Sequence, residues 1–243
     1  MSSQGVLPID APHQPRLTNF VVGSNVELVE ALASRTAGFS GFWVCGENVC
    51  GKTHLLRGAA LAAAEAGHVH AYLDCARLST SDVANTLAEL TAKVRDGVDL
   101  SVTAAVDHVA HLQNQAEVEE ALMALYNALQ ELPPQGGGVR RLLIAHRQNA
   151  GQLAFALQDL NSRMRALAHH RVRELSDADK GLLLRERAEQ SGYHLSEPVL
   201  EYWLRRGPRG MDRLLADLAT LDQATLQHKR LLTVPLLKSV LGY

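Results

Sequence analysis

The sequence predicts an α/β protein in which a parallel sheet flanked by helices is followed by a small α-helical subdomain. Two observations support this fold class. Short apolar strands alternate with helical segments up to about residue 175, a pattern typical of a parallel sheet covered by helices. After that point the periodic segments have helical spacing alone. We therefore expect an α/β subdomain over residues 16–175 and a helical subdomain over residues 176–243.

The elements of the α/β part follow in order along the chain. Residues 1–15 contain three prolines and little periodicity, which predicts an extended arm. Apolar side chains at helical spacing in residues 26–32 indicate a first helix. Alanine-rich residues 54–65 and residues 117–132 indicate two more helices. The predicted strands cover residues 41–45, 69–74, 100–106, 141–145 and 171–175.

Capping signals delimit the C-terminal helices. Ser176 is a favourable N-cap, because the acidic Asp179 follows three positions later. Gly192 ends this helix, and Ser196 begins the next one. Residues 211–228 supply a third helix, and a last helix begins near the C-terminus.

Composition and charge indicate a globular protein with a basic C-terminal third. Of 243 residues, 47% are hydrophobic and 21% are charged, which is enough apolar material for a sizeable core. Residues 1–162 carry 10 basic and 16 acidic side chains, whereas residues 163–243 carry 14 and 10. The basic part is either a solvated surface with a few functional arginines or a contact for an acidic partner, a nucleotide or nucleic acid.

Neither a disulfide framework nor a membrane span is expected. The three cysteines, Cys45, Cys50 and Cys75, are odd in number, and two of them flank or occupy a glycine-rich loop. No run approaches the roughly 18 apolar residues of a membrane-spanning helix. The polar, proline-containing N-terminus does not resemble a signal peptide. We expect a cytoplasmic protein without a membrane partner.

The glycine-rich loop after the first strand has the pattern of a phosphate-binding loop. Gly46, Gly51, Lys52 and Thr53 match the pattern G-x-x-x-x-G-K-T between a strand and a helix. Glycines allow successive N–H groups to point inward, which makes a nest for phosphate oxygens at a helix N-terminus. Lys52 would reach the β and γ phosphates, and the Thr53 hydroxyl would bind Mg²⁺. The predicted loop contacts are Gly46, Glu47, Asn48, Val49, Cys50, Gly51, Lys52, Thr53 and His54.

Polar residues that follow two later strands extend this candidate site. Asp107 has the spacing of a second Mg²⁺ ligand in a P-loop NTPase. The next residue is His108, where many P-loop ATPases carry a water-activating glutamate. A neutral imidazole could accept a proton, but without the glutamate we expect slow hydrolysis by the chain itself. His146, after the fourth strand, is either a γ-phosphate sensor or a solvent-facing loop histidine.

Two arginines are candidates for phosphate contacts. Arg163 precedes the helical subdomain and could be presented to a phosphate of a neighbouring subunit, where an arginine stabilises transition-state charge. Arg213 either reaches back to a phosphate or is an exposed helix arginine. The eleven histidines show no ligand spacing, so the only metal expected is the Mg²⁺ of the nucleotide.

These motifs resemble the DnaA-related AAA+ family and, within it, the Hda-type regulatory inactivators of DnaA. The resemblance runs essentially from end to end of the chain. It implies a P-loop AAA+ parallel sheet flanked by helices, with residues 176–243 as the small α-helical lid. The matching motifs are Leu17-Thr-Asn-Phe-Val-Val-Gly-Ser-Asn25, the phosphate loop, Asp107, Leu125-Tyr126-Asn127, Asp159-Leu-x-Ser-Arg163 and Leu232-Thr-Val-Pro235.

The resemblance also implies roles for individual residues. Arg163 would be the arginine finger that acts in trans. The lid arginine is offset, because the family has Met-Arg-x-Leu where this chain has Met211-Asp212-Arg213-Leu214. Residues beside the adenine of a bound ADP or ATP would be Phe20, Val21, Val22 and Gly23.

The N-terminal arm is similar to a clamp-binding peptide. Gln4-Gly-Val-Leu7-Pro8-Ile9 resembles the Gln-Leu-x-Leu-Pro-Leu peptide by which this inactivator type docks on the sliding clamp of DNA polymerase III, with Gly5 in place of a leucine. Gln4, Leu7 and Pro8 would make the contacts. Such peptides place a few apolar anchors in a preformed pocket. The alternative is a disordered leader.

The function implied is that of an adenine-nucleotide-binding regulator that negatively controls replication initiation by stimulating hydrolysis of DnaA-bound ATP together with the clamp. The cofactors would be ADP or ATP and Mg²⁺. No DNA-binding domain is expected after the lid, hence no direct sequence-specific DNA binding, and a homo-oligomer is possible. The alternatives are a self-sufficient ATPase of the helicase-loader or initiator type and a scaffold that only docks on the clamp or DnaA.

Overall fold

The computed structural model of the protein describes residues 14–97, 100–131, 138–228 and 232–243. Two compact units divide the chain between them. The first, called the α/β unit below, comprises the described residues up to Phe20, together with Val29–Cys45 and Gly51–His170. The second, called the helical unit, comprises Val21–Leu28, Gly46–Cys50 and Arg171–Tyr243. The chain therefore enters the helical unit three times.

Five strands form a sheet in the order β2-β3-β4-β1-β5. The pairs β2–β3, β3–β4 and β4–β1 are parallel. β3 is buried along its whole length, as expected for a strand covered on both faces. The predicted parallel sheet is confirmed. The strands are β1 (Gly38–Cys45), β2 (Val69–Asp74), β3 (Val102–Asp107), β4 (Val139–His146) and β5 (Ala168–Arg171).

The register of the sheet brings the carboxyl ends of four strands to one edge. Asp74, the last residue of β2, pairs with Asp107, the last residue of β3. Cys45, at the end of β1, pairs with His146 at the end of β4. Ligands of open parallel sheets bind outside this carboxyl edge. The polar residues that follow these strands are therefore neighbours in space, although they are far apart in sequence.

Helices accompany the sheet of the α/β unit, and its core includes the fully buried Trp43. One helix, α3, lies in a segment where the sequence pattern predicted no element. It begins after Ser79, whose hydroxyl accepts a hydrogen bond from the Asp82 N–H, and it buries one apolar face. The helices up to the end of this unit are α1 (Val26–Ala33), α2 (Lys52–Glu65), α3 (Thr80–Asp96), α4 (Ala116–Glu131) and α5 (Gln158–Ala166).

The fifth strand lies earlier than predicted, and the prediction for residues 172–175 was wrong. β5 spans Ala168–Arg171 and follows α5 after a single residue. The backbone that follows β5 forms hydrogen bonds with a side chain instead of with a neighbouring strand. The Arg173 N–H donates to Asn25 Oδ1 at 2.7 Å, and Asn25 Nδ2 donates to the Arg173 carbonyl at 3.1 Å. The buried Asn25 amide thus satisfies backbone groups that a sheet would otherwise pair.

The helical unit has its own core, which includes the fully buried Trp203. The predicted start of its first long helix is confirmed. Ser176 Oγ accepts from the Asp179 N–H at 3.2 Å, and Asp179 Oδ2 accepts from the Ser176 N–H at 3.2 Å, which is a reciprocal capping box. The helices of this unit are α6 (Asp177–Gln190), α7 (Glu197–Arg206), α8 (Met211–His228) and α9 (Val234–Leu241).

Candidate functional site

The loop between β1 and α2 has the backbone conformation that phosphate binding requires. Gly46, Val49 and Gly51 have positive φ angles of 154°, 57° and 102°. Gly51 is the N-cap of α2, and it has no side chain with which to cap the helix. The first N–H groups of an α-helix have no acceptor within the helix itself. A phosphate group bound at this helix end would satisfy these donors.

Two glycines of the loop lie where no side chain fits. A Cβ atom on Gly46 would lie 2.9 Å from the Val172 carbonyl oxygen. A Cβ atom on Gly51 would lie 2.6 Å from the ring of Phe20. Both glycines are therefore required by close packing as well as by their positive φ angles.

Residues of the predicted adenine-side motif are divided between the two units. Phe20 belongs to the α/β unit, where its ring centroid is 5.5 Å from that of His54. His54 Nε2 lies 2.8 Å from the Arg16 carbonyl oxygen, so residues 16–20 are fixed on the first turn of α2. Val21, Val22 and Gly23 belong to the helical unit, as do the exposed loop residues Glu47 and Asn48 and the half-buried Cys50.

Thr53 and Asp107 lie together at the carboxyl edge of the sheet. The Thr53 hydroxyl donates to Asp107 Oδ2 at 2.6 Å, and Asp107 is only 1% exposed. Tyr72 donates to the same oxygen at 3.0 Å. Burial, reinforced by the Asp107 charge, raises the pKa of Tyr72, so its phenol stays a donor. Hydroxyl and carboxylate oxygens are ligands that Mg²⁺ prefers, and this donor set fits the ion of a bound nucleotide.

His108 lies beside two carboxylates in a left-handed backbone conformation, with φ of 55°. Its backbone N–H donates to Asp107 Oδ1 at 2.9 Å, and its ring atom Nδ1 lies 3.0 Å from Asp74 Oδ1. Sequence reasoning placed Asp74 only at the end of a strand and gave it no role. Asp74 could have been considered for the site because it ends a predicted strand, as Asp107 does, and the structure pairs the two residues.

His146 ends β4 with its imidazole held by the backbone. Its Nδ1 lies 2.9 Å from the Gln148 N–H donor and 3.2 Å from the Gln148 carbonyl oxygen. The shorter contact makes Nδ1 the acceptor, so the neutral ring carries its proton on Nε2. Burial lowers the pKa of His146, and the Lys52 charge lowers it further, against the opposing effect of the Gln148 carbonyl. A neutral His146 can donate a hydrogen bond from Nε2, as a phosphate sensor would.

Arg163 lies on α5 and is held by two residues of α4. Its Nε donates to Asn127 Oδ1 at 2.9 Å, and its guanidinium carbon lies 5.6 Å from the centroid of the Tyr126 ring. Within the described ranges its two terminal amino groups have no hydrogen-bond partner. The guanidinium is therefore half-buried and fixed at one side, with donors left for an anion.

The other predicted contacts are less constrained by the structure. Arg213 is exposed in the first turn of α8, where its charge acts on Tyr243 in the same unit. Its contact with a nucleotide stays a prediction. Gln4, Leu7 and Pro8 lie outside the described residues. Over the ranges that the structure covers, no group of three or more His, Cys, Asp or Glu side chains is arranged to hold a metal ion.

One protein-family model matches the C-terminal part of the chain. A family model described as "Hda, lid domain" matches residues 177–241. An uncharacterized protein of Haemophilus influenzae is 27% identical over 244 residues, and the match covers 100% of both chains.

Solved structures of DnaA share the fold. Domain III of the Thermotoga maritima replication initiation protein DnaA is 18% identical, with a TM-score of 0.73, over 95% of this chain and 97% of that chain. AMPPCP-bound DnaA from Aquifex aeolicus is 19% identical, with a TM-score of 0.64, over 90% of this chain and 68% of that chain. At these identities the likeness establishes the AAA+ fold. Among the helices described, none is both long and apolar enough to cross a membrane.

Proposed function

Because the chain is a DnaA-related AAA+ protein with an Hda-type lid, we propose that it is an adenine-nucleotide-binding regulator that acts on DnaA. Its activity is to stimulate hydrolysis of the ATP that DnaA holds, together with the sliding clamp of DNA polymerase III. DnaA in its ADP form would then accumulate, so the protein would oppose the initiation of replication.

The nucleotide held by this chain would be ADP or ATP. The positive φ angles of the loop, the glycine at the N-cap of α2 and the Thr53–Asp107 pair support this assignment. The related Aquifex aeolicus DnaA carries AMPPCP, an adenine nucleotide analogue. Thr53 and Asp107 would hold Mg²⁺, which supplies charge neutralisation for the phosphates when it is bound. Lys52 would contact the β and γ phosphates.

The way in which Arg163 is held is the observation that carries the proposal. Asn127 fixes Nε and the Tyr126 ring lies beside the guanidinium, while no residue in the described part of the chain occupies the terminal amino groups. A guanidinium that is restrained before binding loses less conformational entropy when it meets an anion. An arginine supplied in trans to a γ-phosphoryl group accelerates hydrolysis by roughly 10³–10⁵-fold. Arg163 would supply that charge to the ATP of DnaA.

The clamp would concentrate the protein where DnaA is bound on DNA. A peptide contact through Gln4, Leu7 and Pro8 would convert the encounter with DnaA into a local one, which raises the effective concentration. The sequence pattern of the arm is the support for this contact. A titration of wild-type protein and the Gln4→Ala, Leu7→Ala double variant into sliding clamp tests it, and equal binding by both would refute it.

The role of Arg163 as an arginine finger is tested by measuring hydrolysis of DnaA-bound ATP in the presence of DNA-loaded clamp. Arg163→Ala should reduce the stimulation by roughly 10³-fold, close to the unstimulated rate. Asn127→Ala should give a partial loss, because it frees the guanidinium without removing it. Arg165→Ala is the matched control, since Arg165 lies exposed two residues further along α5. Full stimulation by Arg163→Ala would refute the proposal.

A further inference from the structure

His108 is held at the end of β3 by the carboxylate that would bind the metal. Its backbone N–H donates to Asp107 Oδ1 at 2.9 Å, and its φ of 55° is unusual for a residue other than glycine. Such strained conformations persist only where the surroundings determine them, and they concentrate at functional sites. The imidazole is therefore presented next to Asp107 by a fixed turn of the chain.

A second carboxylate determines which nitrogen of His108 carries the proton. Asp74 Oδ1 lies 3.0 Å from Nδ1, and Asp74 ends the strand that pairs with β3. The Asp74 carboxylate lies near two guanidinium groups, at 3.9 Å from Arg57 and 3.5 Å from Arg77. An ionised carboxylate can only accept hydrogen bonds, so Nδ1 must be the donor. The neutral ring then has an unprotonated Nε2.

The Nε2 edge of the His108 ring is accessible to solvent. His108 is 47% exposed, and its Nε2 has no hydrogen-bond partner among the residues that the structure describes. The ring of His111 meets the His108 ring edge-on, with ring centroids 6.5 Å apart. Nε2 is thus an oriented acceptor that no described residue occupies, one residue beyond the Mg²⁺-binding candidate Asp107.

We propose that His108, oriented by Asp74, positions the attacking water in this chain's own nucleotide site, so that the chain slowly converts its bound ATP to ADP. This inference rests on the proposed nucleotide binding. The water oxygen attacks the γ-phosphorus while one of its protons passes to His108 Nε2. The bond from the γ-phosphorus to the β–γ bridging oxygen breaks, and its electron pair leaves on ADP. Asp74 is a positioning residue, because it acts only through His108.

A double-mutant cycle on single-turnover hydrolysis of bound ATP tests the pair. His108→Ala should lower the rate by roughly 100-fold, the lower range for a positioned proton acceptor. Asp74→Asn should lower it by roughly 10-fold or more, because an amide also stabilises the other imidazole tautomer. In the His108→Ala background Asp74→Asn should have no further effect. His111→Ala is the matched control and should leave the rate unchanged.

The same variants distinguish this inference from its alternatives. An equal loss from Asp74→Asn with and without His108 would make Asp74 merely structural, and faster hydrolysis by Asp74→Asn would mean that Asp74 restrains His108. Absence of hydrolysis by the wild type would also overturn the proposal. If the wild-type protein did not bind nucleotide at all, the proposed function itself would be refuted. Binding of a fluorescent ATP analogue, measured for every variant, separates these cases.

The tautomer of the His108 imidazole can be measured in the absence of nucleotide. The ¹⁵N chemical shifts of histidine ring nitrogens differ between the two neutral tautomers. In the nucleotide-free protein His108 should show the tautomer protonated on Nδ1, and Asp74→Asn should shift the population toward the other tautomer. The His108→Gln spectrum assigns the signal. A His108 ring protonated on Nε2 in the wild type would overturn the proposal.

Discussion

Substituting Val49 with glycine and with alanine tests the conformation of the phosphate loop. Val49 has φ of 57° and is 46% exposed. A left-handed conformation costs a residue with a Cβ atom about 1–2 kcal/mol, and glycine avoids this cost. Glycine in turn loses about 0.4–1 kcal/mol through the greater freedom of its unfolded chain. Both variants lose nearly the same side-chain contacts, so Val49→Gly should be more stable than Val49→Ala by about 1 kcal/mol.

Urea denaturation and thermal melting of the two variants measure this difference. For a chain of this length about 1 kcal/mol corresponds to a shift in Tm of roughly 2–4 °C. Val26 is the matched control, because it is 50% exposed, belongs to the same unit and begins α1. There the order should reverse, with Val26→Ala more stable than Val26→Gly by roughly 0.5 kcal/mol. If Val49→Ala were at least as stable as Val49→Gly, the left-handed loop and the nest built on it would be refuted.

Three further predictions concern the metal site, a helix cap and a histidine. Thr53→Ala should still bind ADP, but Mg²⁺ should no longer increase its affinity for ATP in a fluorescence titration; an unchanged Mg²⁺ effect would remove Thr53 as a ligand. Ser176→Ala should lower the free energy of unfolding by about 1 kcal/mol, whereas Ser196→Ala should cost less, because Ser196 makes no side-chain cap hydrogen bond; equal losses would contradict the capping box. Burial lowers the pKa of His146 in the folded protein, so the unfolded chain binds the proton more tightly and the stability that His146 contributes is lost as pH falls below about 6.5. His146→Gln should therefore flatten the decline in stability as pH falls below about 6.5, and parallel urea-denaturation profiles would refute this.

The sequence predicted the strands well where an apolar segment is bounded by turn-forming or polar residues. β2 has its predicted bounds, because a mostly apolar run ends at the polar Asp74. The helix α3 was missed, although Ser79 with Asp82 is a recognisable cap and the buried side chains recur at helical spacing. The predicted fifth strand was misplaced, since the extended chain after Arg171 is paired by a side chain and not by a strand.

Contacts within the candidate site could not be predicted from local pattern. Asn127 and Arg163 are 36 residues apart, and Asp74 and His108 are 34 residues apart. Each pair depends on which helices pack together or which strands are neighbours, and local periodicity does not contain that information. Spacing and resemblance could identify Asp107 and Arg163 as candidates. The side chains that orient such candidates became identifiable only from the order and register of the strands and the packing of α4 on α5.

The pairing of Asn25 with Arg173 has a consequence for biosynthesis. The two residues are 148 positions apart, and Asn25 reaches its partner only after the whole α/β unit has been translated. At roughly 5–20 residues per second, Asn25 leaves the ribosome roughly 7–30 s before Arg173. During that interval the segment around Asn25 lacks the backbone it binds, whereas Phe20 and His54 can already meet. The loop residue Gly46, which lies against Val172, likewise gains its neighbour only at the end of that interval.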